Sequence, residues 1–135
     1  MEQKDIRWKQ RFENFSKSIK LLERALNIES PDIIQKAGTI QFFEMCFELS
    51  WNMLKDYLEE QGFIDVNTPR SSIKKAFEIG LIEDGHQWME LLVDRNLTVH
   101  TYDEKKATDV ERLIHNKYYP LLKNLHEIFK QKTSL

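Results

Sequence analysis

The sequence contains few of the residues that build cross-links, loops or membrane spans. Its 135 residues include one cysteine, four glycines and three prolines. The lone Cys46 excludes an intrachain disulfide and is expected to be a small buried hydrophobe, while scarce glycine and proline argue against a loop-rich or β-rich fold. No apolar run approaches the roughly 20 residues of a transmembrane helix, and the amino-terminal segment lacks the apolar core of a signal peptide. We therefore expect a cytoplasmic protein without membrane association.

Charge of neither sign dominates, because 20 Lys and Arg residues face 22 Asp and Glu residues, for a net charge of −2. This balance argues against a general nucleic-acid coat, which needs a basic surface, but it leaves room for a local site. The glycines are scattered singly and form no phosphate-binding loop, and no second set of His, Asp and Glu residues with ligand spacing supports a metal at the one carboxylate pair on the second helix. The sequence therefore predicts neither a bound cofactor nor a metal site.

Apolar residues recur at three- and four-residue steps along nearly the whole chain, which predicts helices. The first helix is predicted from Asp5 to about Ile28. Ser30 and Pro31 would be the N-cap and the first residue of a second helix, which should run to about Gln61. Gly62 would form the left-handed turn that ends it. Because its middle is apolar on most faces, this second helix should be the most buried one.

Two shorter helices are predicted next. Thr68 would cap the first of them, with Pro69 at its first position and Gly80 at its end. Asp84 would cap the second, which should fray around Val99.

A capping box from Thr101 to Glu104 predicts the start of a last helix, which would run from about Asp103 to about Lys130 with a kink at Pro120. Its apolar face would comprise Val110, Leu113, Ile114, Tyr118, Leu121, Leu122, Leu125 and Phe129. No repeat or linker divides the chain. Residues 1–135 are therefore predicted to form one all-α domain, an up-and-down bundle of three long helices plus a shorter pair. Surplus apolar residues on the second helix favour a dimer.

Arg95, His100 and Tyr102 lie within eight residues of one another, at the predicted junction between two helices. His100 titrates near neutrality and can take the proton of an RNA 2′-hydroxyl, while Arg95 can neutralise charge on the phosphoryl oxygens. Because one histidine supplies one acid/base group, a symmetric dimer would be needed to bring a second. The alternative is that Arg95 and His100 only bracket a helix end, where cations favour the helix dipole.

Three further residues are candidates for binding at this motif. Asn96 would orient the arginine or the substrate, or else satisfy backbone groups at the helix end, and Thr98 follows two residues later. Glu48 belongs to a narrow polar stripe on the second helix, four residues after Glu44. Carboxylates at this spacing could bind a metal, for which a second ligand set is missing, or orient Arg95, or simply form a solvent-exposed face.

The string from Arg95 to Tyr102, RNLTVHTY, resembles the R-x4-H-x-Y motif of the HEPN superfamily of all-α domains, which are often encoded beside a minimal nucleotidyltransferase. The wider sequence is most similar to one branch, the nucleotidyltransferase substrate-binding proteins. Residues 42–51, 71–82 and 88–102 carry this resemblance, which extends over about residues 5–130.

The resemblance implies a helical bundle that dimerises and pairs with a minimal nucleotidyltransferase. In HEPN toxins, the residues that match Arg95 and His100 cut RNA at the dimer interface, and the transferase neutralises the toxin by adding AMP to the tyrosine that matches Tyr102. Two functions follow from the resemblance, a ribonuclease toxin or a non-catalytic subunit that binds nucleotide or substrate for the transferase. A third interpretation is purely structural, with the motif as a hydrogen-bond cluster that organises the dimer.

Overall fold

The computed structural model describes residues 2–95, 98 and 103–134, and within those ranges it is all-α, with no strand. The helices are α1 (Glu2–Leu26), α2 (Ile33–Glu60), α3 (Pro69–Glu78), α4 (Gly85–Asp94), α5 (Glu104–Leu113) and α6 (Tyr119–Thr133), with a π-helical turn at Ile114–Tyr118. α5, the π-helical turn and α6 join end to end. The described residues therefore form five helical rods, three long and two short, as the periodicity predicts.

Contacts between the rods give their directions. Near their first turns, α2 and α5 are joined by a hydrogen bond from Lys36 to Thr108 (2.8 Å), and near their last turns α2 and α6 are joined by the ring contact of Tyr57 with Phe129 (5.2 Å). α2 and the final rod are therefore parallel, while α1 packs antiparallel to α2 through the short connection between them. The short α3 and α4 connect the end of α2 to the start of α5. This connection brings the end of α4 next to the middle of α2.

The core lies between α1, α2 and α6, with α4 closing one side. Its largest fully buried side chains include Phe15, Ile19, Leu22, Phe43, Phe47, Met53, Leu54, Trp88 and Phe129. α2 contributes ten buried residues, in keeping with the prediction that it is the most buried helix. None of the helices in the described ranges has both the length and the apolarity needed to cross a bilayer.

The predicted start of α2 is wrong by two residues. α2 begins at Ile33, and its N-cap is Asp32, whose carboxylate accepts from the Gln35 amide (2.8 Å) while the Gln35 side chain accepts from the Asp32 amide (3.0 Å). Ser30 has a φ of +50° and Pro31 precedes the helix, so neither has its predicted role. The reciprocal pair explains the choice, because it satisfies two amides that a serine cap two residues earlier would leave open.

Other predicted caps have mixed outcomes. Gly62 does take a left-handed φ of +97°, and Thr68 caps α3, accepting from the Ser71 amide (3.0 Å) with Pro69 in the first position. α3 itself ends at Glu78, two residues before the left-handed Gly80. Asp84 is the N-cap residue of α4, but its side chain makes no capping hydrogen bond, so α4 begins without the expected carboxylate cap.

The capping box predicted for the last rod is also wrong. Asp103 is the N-cap of α5 and accepts from the amides of Lys105 (3.0 Å) and Lys106 (3.2 Å), so Glu104 is the first helical residue and not the third. A carboxylate at this position also favours the positive end of the helix dipole. Thr101 lies outside the described residues.

The irregularity predicted at Pro120 takes the form of the π-helical turn that ends two residues before it. There the Tyr119 amide bonds back to the Ile114 carbonyl, five residues earlier. Pro120 cannot donate to the carbonyl four residues before it, and its ring would clash there, so the wider turn fits the proline.

Candidate functional site

Arg95 follows the last residue of α4 and is the C-cap of that helix. Its guanidinium carbon lies 4.6 Å from the centroid of the Phe47 ring, and Phe47 is only 1% exposed. A guanidinium over an aromatic face is attracted by the ring quadrupole, by about 0.5–1 kcal/mol at exposed sites. The buried ring therefore forms a fixed floor for a cationic side chain that is still 34% exposed.

Glu48, one residue after Phe47 on α2, provides an acceptor for Arg95. One carboxylate oxygen lies 3.4 Å from the Arg95 Nη2, and the other accepts from the Trp51 Nε1 at 3.0 Å. Glu48 is 53% exposed, so this ion pair is solvated and contributes at most about 1 kcal/mol. The pair can orient the guanidinium yet yield to a stronger anionic ligand, because little free energy is lost when it opens.

Thr98 ties the segment after α4 to α2. Its hydroxyl lies within hydrogen-bond distance of the Glu44 carboxylate and 2.7 Å from the Arg95 carbonyl oxygen. It can donate its single proton to either acceptor, and at 7% exposure it is shielded from water. Thr98 therefore fixes the backbone on which Arg95 is carried.

A small cleft of about 90 Å³ lies beside Arg95 and is lined by Phe43, Glu44, Phe47, Glu48 and Arg95. Arg95 is the cationic side chain in the described lining of this cleft, so an anionic group that entered it would meet the guanidinium. Larger hollows of about 420 Å³ beside Phe63 and about 480 Å³ beside Leu113 contain none of the predicted site residues.

The structure brings together three of the predicted site residues, Arg95, Thr98 and Glu48. Asn96, His100 and Tyr102 lie outside the described residues, and their roles stay predictions. Within the described ranges, no three His, Cys, Asp or Glu side chains converge to hold a metal ion.

Two residues in or next to the cleft are not among the predicted site residues. The sequence puts Glu44 in the polar stripe but not among the binding residues, although its four-residue spacing from Glu48 puts both carboxylates on one face of α2. It assigns Tyr118 only to the apolar face of the last rod, but the Tyr118 hydroxyl donates to Asp94 at the end of α4. Nothing in the local pattern around Tyr118 indicates this distant partner.

Cys46 lies in the core, as predicted. It is fully buried, and burial raises the pKa of its thiol to about 11, with a hydrogen bond to Ser18 acting in the opposite direction. A thiol with that pKa is protonated at neutral pH and makes a poor nucleophile.

The chain is similar to known proteins in three comparisons. A family model described as "Nucleotidyltransferase substrate binding protein like" matches residues 10–131. The "Probable ribonuclease HepT" of Haemophilus influenzae is 37% identical over 90 residues, which are 59% of this chain and 60% of that protein, so the chain spans less than two thirds of the relative's length.

A crystal structure of a protein from Thermus thermophilus superposes with a TM-score of 0.72 at 30% sequence identity, covering 87% of this chain and 97% of the other. The family match includes α2, α4 and most of α6, and so every described residue of the cleft. The chain therefore belongs to the HEPN-like family of nucleotidyltransferase substrate-binding proteins.

Proposed function

We propose that this protein is a metal-independent endoribonuclease that works with a minimal nucleotidyltransferase, with Arg95 and His100 as its catalytic residues. The observation that carries the proposal is the setting of Arg95, a partly exposed guanidinium held over the buried Phe47 ring at the edge of a small cleft. The 37% identity to a probable ribonuclease supports the same activity.

The cleft suits a phosphodiester because Glu48 orients the Arg95 guanidinium but leaves it available to bind another anion. A bidentate arginine–phosphate contact is charge-assisted and stronger than an exposed ion pair. A phosphate can therefore displace Glu48 from Arg95, after which Glu48 keeps its hydrogen bond from Trp51. Arg95 would then neutralise charge that develops on the phosphoryl oxygens in the transition state.

His100 would act as the general base. It takes the proton of the 2′-hydroxyl, the 2′ oxygen bonds to the adjacent phosphorus, and the bond from phosphorus to the 5′ oxygen breaks. The leaving 5′ oxygen takes its proton from a second acid, for which a symmetric dimer would supply the His100 of the other protomer. The products are a 2′,3′-cyclic phosphate and a 5′-hydroxyl.

The experiment that tests this activity is cleavage of RNA by purified protein in EDTA. We expect cleavage by the wild type and its loss in His100→Ala. His115→Ala is the matched control, because His115 is an exposed histidine on the π-helical turn, apart from the residues of the cleft. Equal cleavage by all three proteins would contradict the assignment of His100.

The proposed regulation is addition of AMP to Tyr102 by the partner transferase. The phenol oxygen would attack the α-phosphorus of ATP and release pyrophosphate, so that the new phosphodiester places negative charge near Arg95 and competes with RNA. Intact mass measured after incubation with transferase and ATP should rise by one or more AMP units. No gain, or an equal gain in Tyr102→Phe, would refute the modification.

The proposed assembly is a two-fold homodimer that binds the transferase. The family description supports the transferase as partner, and the need for two histidines in one cleft supports the dimer. Light scattering at micromolar concentration should give the dimer mass without the partner, and co-expression should give one complex on size exclusion. A monomer, or two separate peaks, would count against the respective assembly.

A second function is a non-catalytic subunit that presents a nucleotide to the transferase. It is favoured by the oriented, 34% exposed guanidinium of Arg95, since an arginine in this position can bind a phosphate without promoting chemistry. Calorimetric titration with a non-hydrolysable ATP analogue would distinguish the two. Binding that is lost in Arg95→Ala, from a protein that leaves RNA intact, would favour this second function.

A further inference from the structure

The π-helical turn packs on α4 through two side chains. Lys117 donates to Glu90 at 3.1 Å, and the Tyr118 hydroxyl donates to the Asp94 carboxylate. Glu90 and Asp94 are four residues apart and share one face of α4. The turn therefore contacts α4 at two residues one helical turn apart, and the second, Asp94, immediately precedes Arg95.

The two contacts are unequal. Lys117 and Glu90 are 52% and 55% exposed, so water and salt screen that pair and it contributes little. Tyr118 is only 4% exposed, and its hydroxyl donates to a carboxylate oxygen of the half-buried Asp94, a contact that water screens less than the exposed Lys117–Glu90 pair. Burial first, and then the Asp94 carboxylate, raises the pKa of Tyr118 well above its usual range, so the hydroxyl keeps its proton. Tyr118 is therefore the anchor of this contact.

Tyr118 also contacts a residue that lines the cleft. Its ring stacks on Phe43 of α2, with centroids 5.9 Å apart and planes inclined by 26°, and Phe43 lines the cleft beside Arg95. One side chain therefore joins the two helices that carry the site, with its ring on Phe43 of α2 and its hydroxyl on Asp94 at the end of α4. The π-helical turn sets the rotation of this side chain, because an extra residue in the turn changes the face on which each following residue lies.

We propose that Tyr118 and Asp94 are positioning residues that hold the carboxyl end of α4 against α2, so that Arg95 stays over the Phe47 ring. Neither residue is assigned contact with substrate. The effect on Arg95 stands on geometry alone, whereas the effect on catalysis rests on the proposed function.

The test combines Tyr118→Phe, which removes only the hydroxyl, with Tyr119→Phe as matched control. Tyr119 is the next residue, and its hydroxyl interacts with Glu23 on α1. The first readout is the NMR signal of the Arg95 Nε–Hε group, which is assigned by its absence from the spectrum of Arg95→Lys. The ring current of Phe47 displaces this signal from the chemical shift of a free arginine. We expect Tyr118→Phe to move this signal toward the position of a free arginine and Tyr119→Phe to leave it in place.

The second readout is RNA cleavage. A catalytic group that is misplaced by about 1 Å can lower the rate on the order of 100-fold, because it loses contacts to the transition state. We therefore expect Tyr118→Phe to lower kcat by on the order of tenfold with little change in KM. Asp94→Ala should repeat both effects, and Asp94→Asn, which keeps an acceptor oxygen for Tyr118, should restore the Arg95 signal. Thermal unfolding of each variant checks that the bundle is folded.

The outcomes separate the two proposals. If the Arg95 signal is the same in Tyr118→Phe and the wild type, the positioning role is refuted whatever the activity. If the signal moves but the wild-type protein does not cleave RNA, the positioning role holds and the proposed nuclease fails. If Asp94→Asn matches Asp94→Ala, the hydrogen bond is not the link, and the assignment of this pair is overturned.

Discussion

The sharpest single perturbation of the site is Phe47→Leu, which keeps an apolar side chain in the core and removes the ring face under Arg95. Phe47 is 1% exposed and its ring centroid lies 4.6 Å from the Arg95 guanidinium carbon. Losing part of a buried ring should lower the free energy of unfolding by about 1–2 kcal/mol, less than the roughly 3–5 kcal/mol of a Phe→Ala change.

Loss of the cation–π contact should add a separate functional cost. The contact is of the order of 0.5–1 kcal/mol, which corresponds to about a two- to fivefold fall in kcat/KM for RNA cleavage. The matched control is Phe129→Leu. Phe129 is fully buried but packs on Trp8 and Tyr57, so its substitution should reduce stability similarly and leave cleavage unchanged.

Urea unfolding gives the stability of each variant, and initial cleavage rates, measured well below the unfolding transition, give the activity. Equal losses of activity in Phe47→Leu and Phe129→Leu would refute the reasoning, because a general loss of stability would then account for both. Unchanged activity in Phe47→Leu would refute it as well.

Three further predictions concern the fold. Cys46, whose pKa burial raises to about 11, should resist alkylation by iodoacetamide at pH 8 in the native protein and react fully in urea; rapid native labelling would contradict its burial. Burial, and then Lys123, lowers the pKa of His126, so the unfolded state binds the proton more readily. The free energy of unfolding should therefore be highest above the unfolded-state pKa, near 6.5, and should fall as the pH drops from there toward the lowered pKa of the folded state. Urea midpoints at several pH values would detect this fall, and His126→Phe should reduce it. Asp56→Ala should lower the free energy of unfolding in urea by about 1.5–3 kcal/mol, because the Asp56 carboxylate is 1% exposed and accepts from the Arg11 Nε at 2.6 Å. The control is Glu90→Ala, which breaks an exposed pair and should lower it by about 1 kcal/mol or less. A smaller loss in Asp56→Ala than in Glu90→Ala would contradict the prediction.

The helices could be predicted from the sequence because the apolar spacing is regular and the breaks are chemically marked. Thr68 with Pro69, and Gly62, each satisfy a local requirement that the sequence alone displays. Ser30 and Asp32 compete for one cap, and the outcome depends on which backbone path lets Gln35 complete the reciprocal pair. The spacing of Asp32 and Gln35 is itself a capping-box signature, so the start of α2 could have been predicted from the sequence, and the proline at position 31 favoured the wrong cap.

The site could be predicted only in part. Glu48 could be identified because the polar stripe on α2 is narrow, and Arg95 because its motif is distinctive. Their contact joins residues 47 positions apart and depends on how α4 returns between the long rods. Tyr118 could not be identified because its spacing fits an apolar face equally well, and only the π-helical turn directs its hydroxyl toward Asp94.

The most direct test of the central claim is end-group analysis of RNA incubated in EDTA with the wild type, Arg95→Lys and Arg95→Ala. Arg112→Ala serves as control, because Arg112 is an exposed arginine on α5 away from the cleft. We expect 2′,3′-cyclic phosphate ends from the wild type and the control. This expectation extends to the arginine variants, in which cleavage should fall at least about 100-fold for Arg95→Ala and nearly as much for Arg95→Lys, since an ammonium cannot reproduce the bidentate fork. Products that end in a 3′-hydroxyl, cleavage that requires Mg²⁺, or full activity in Arg95→Ala would contradict it.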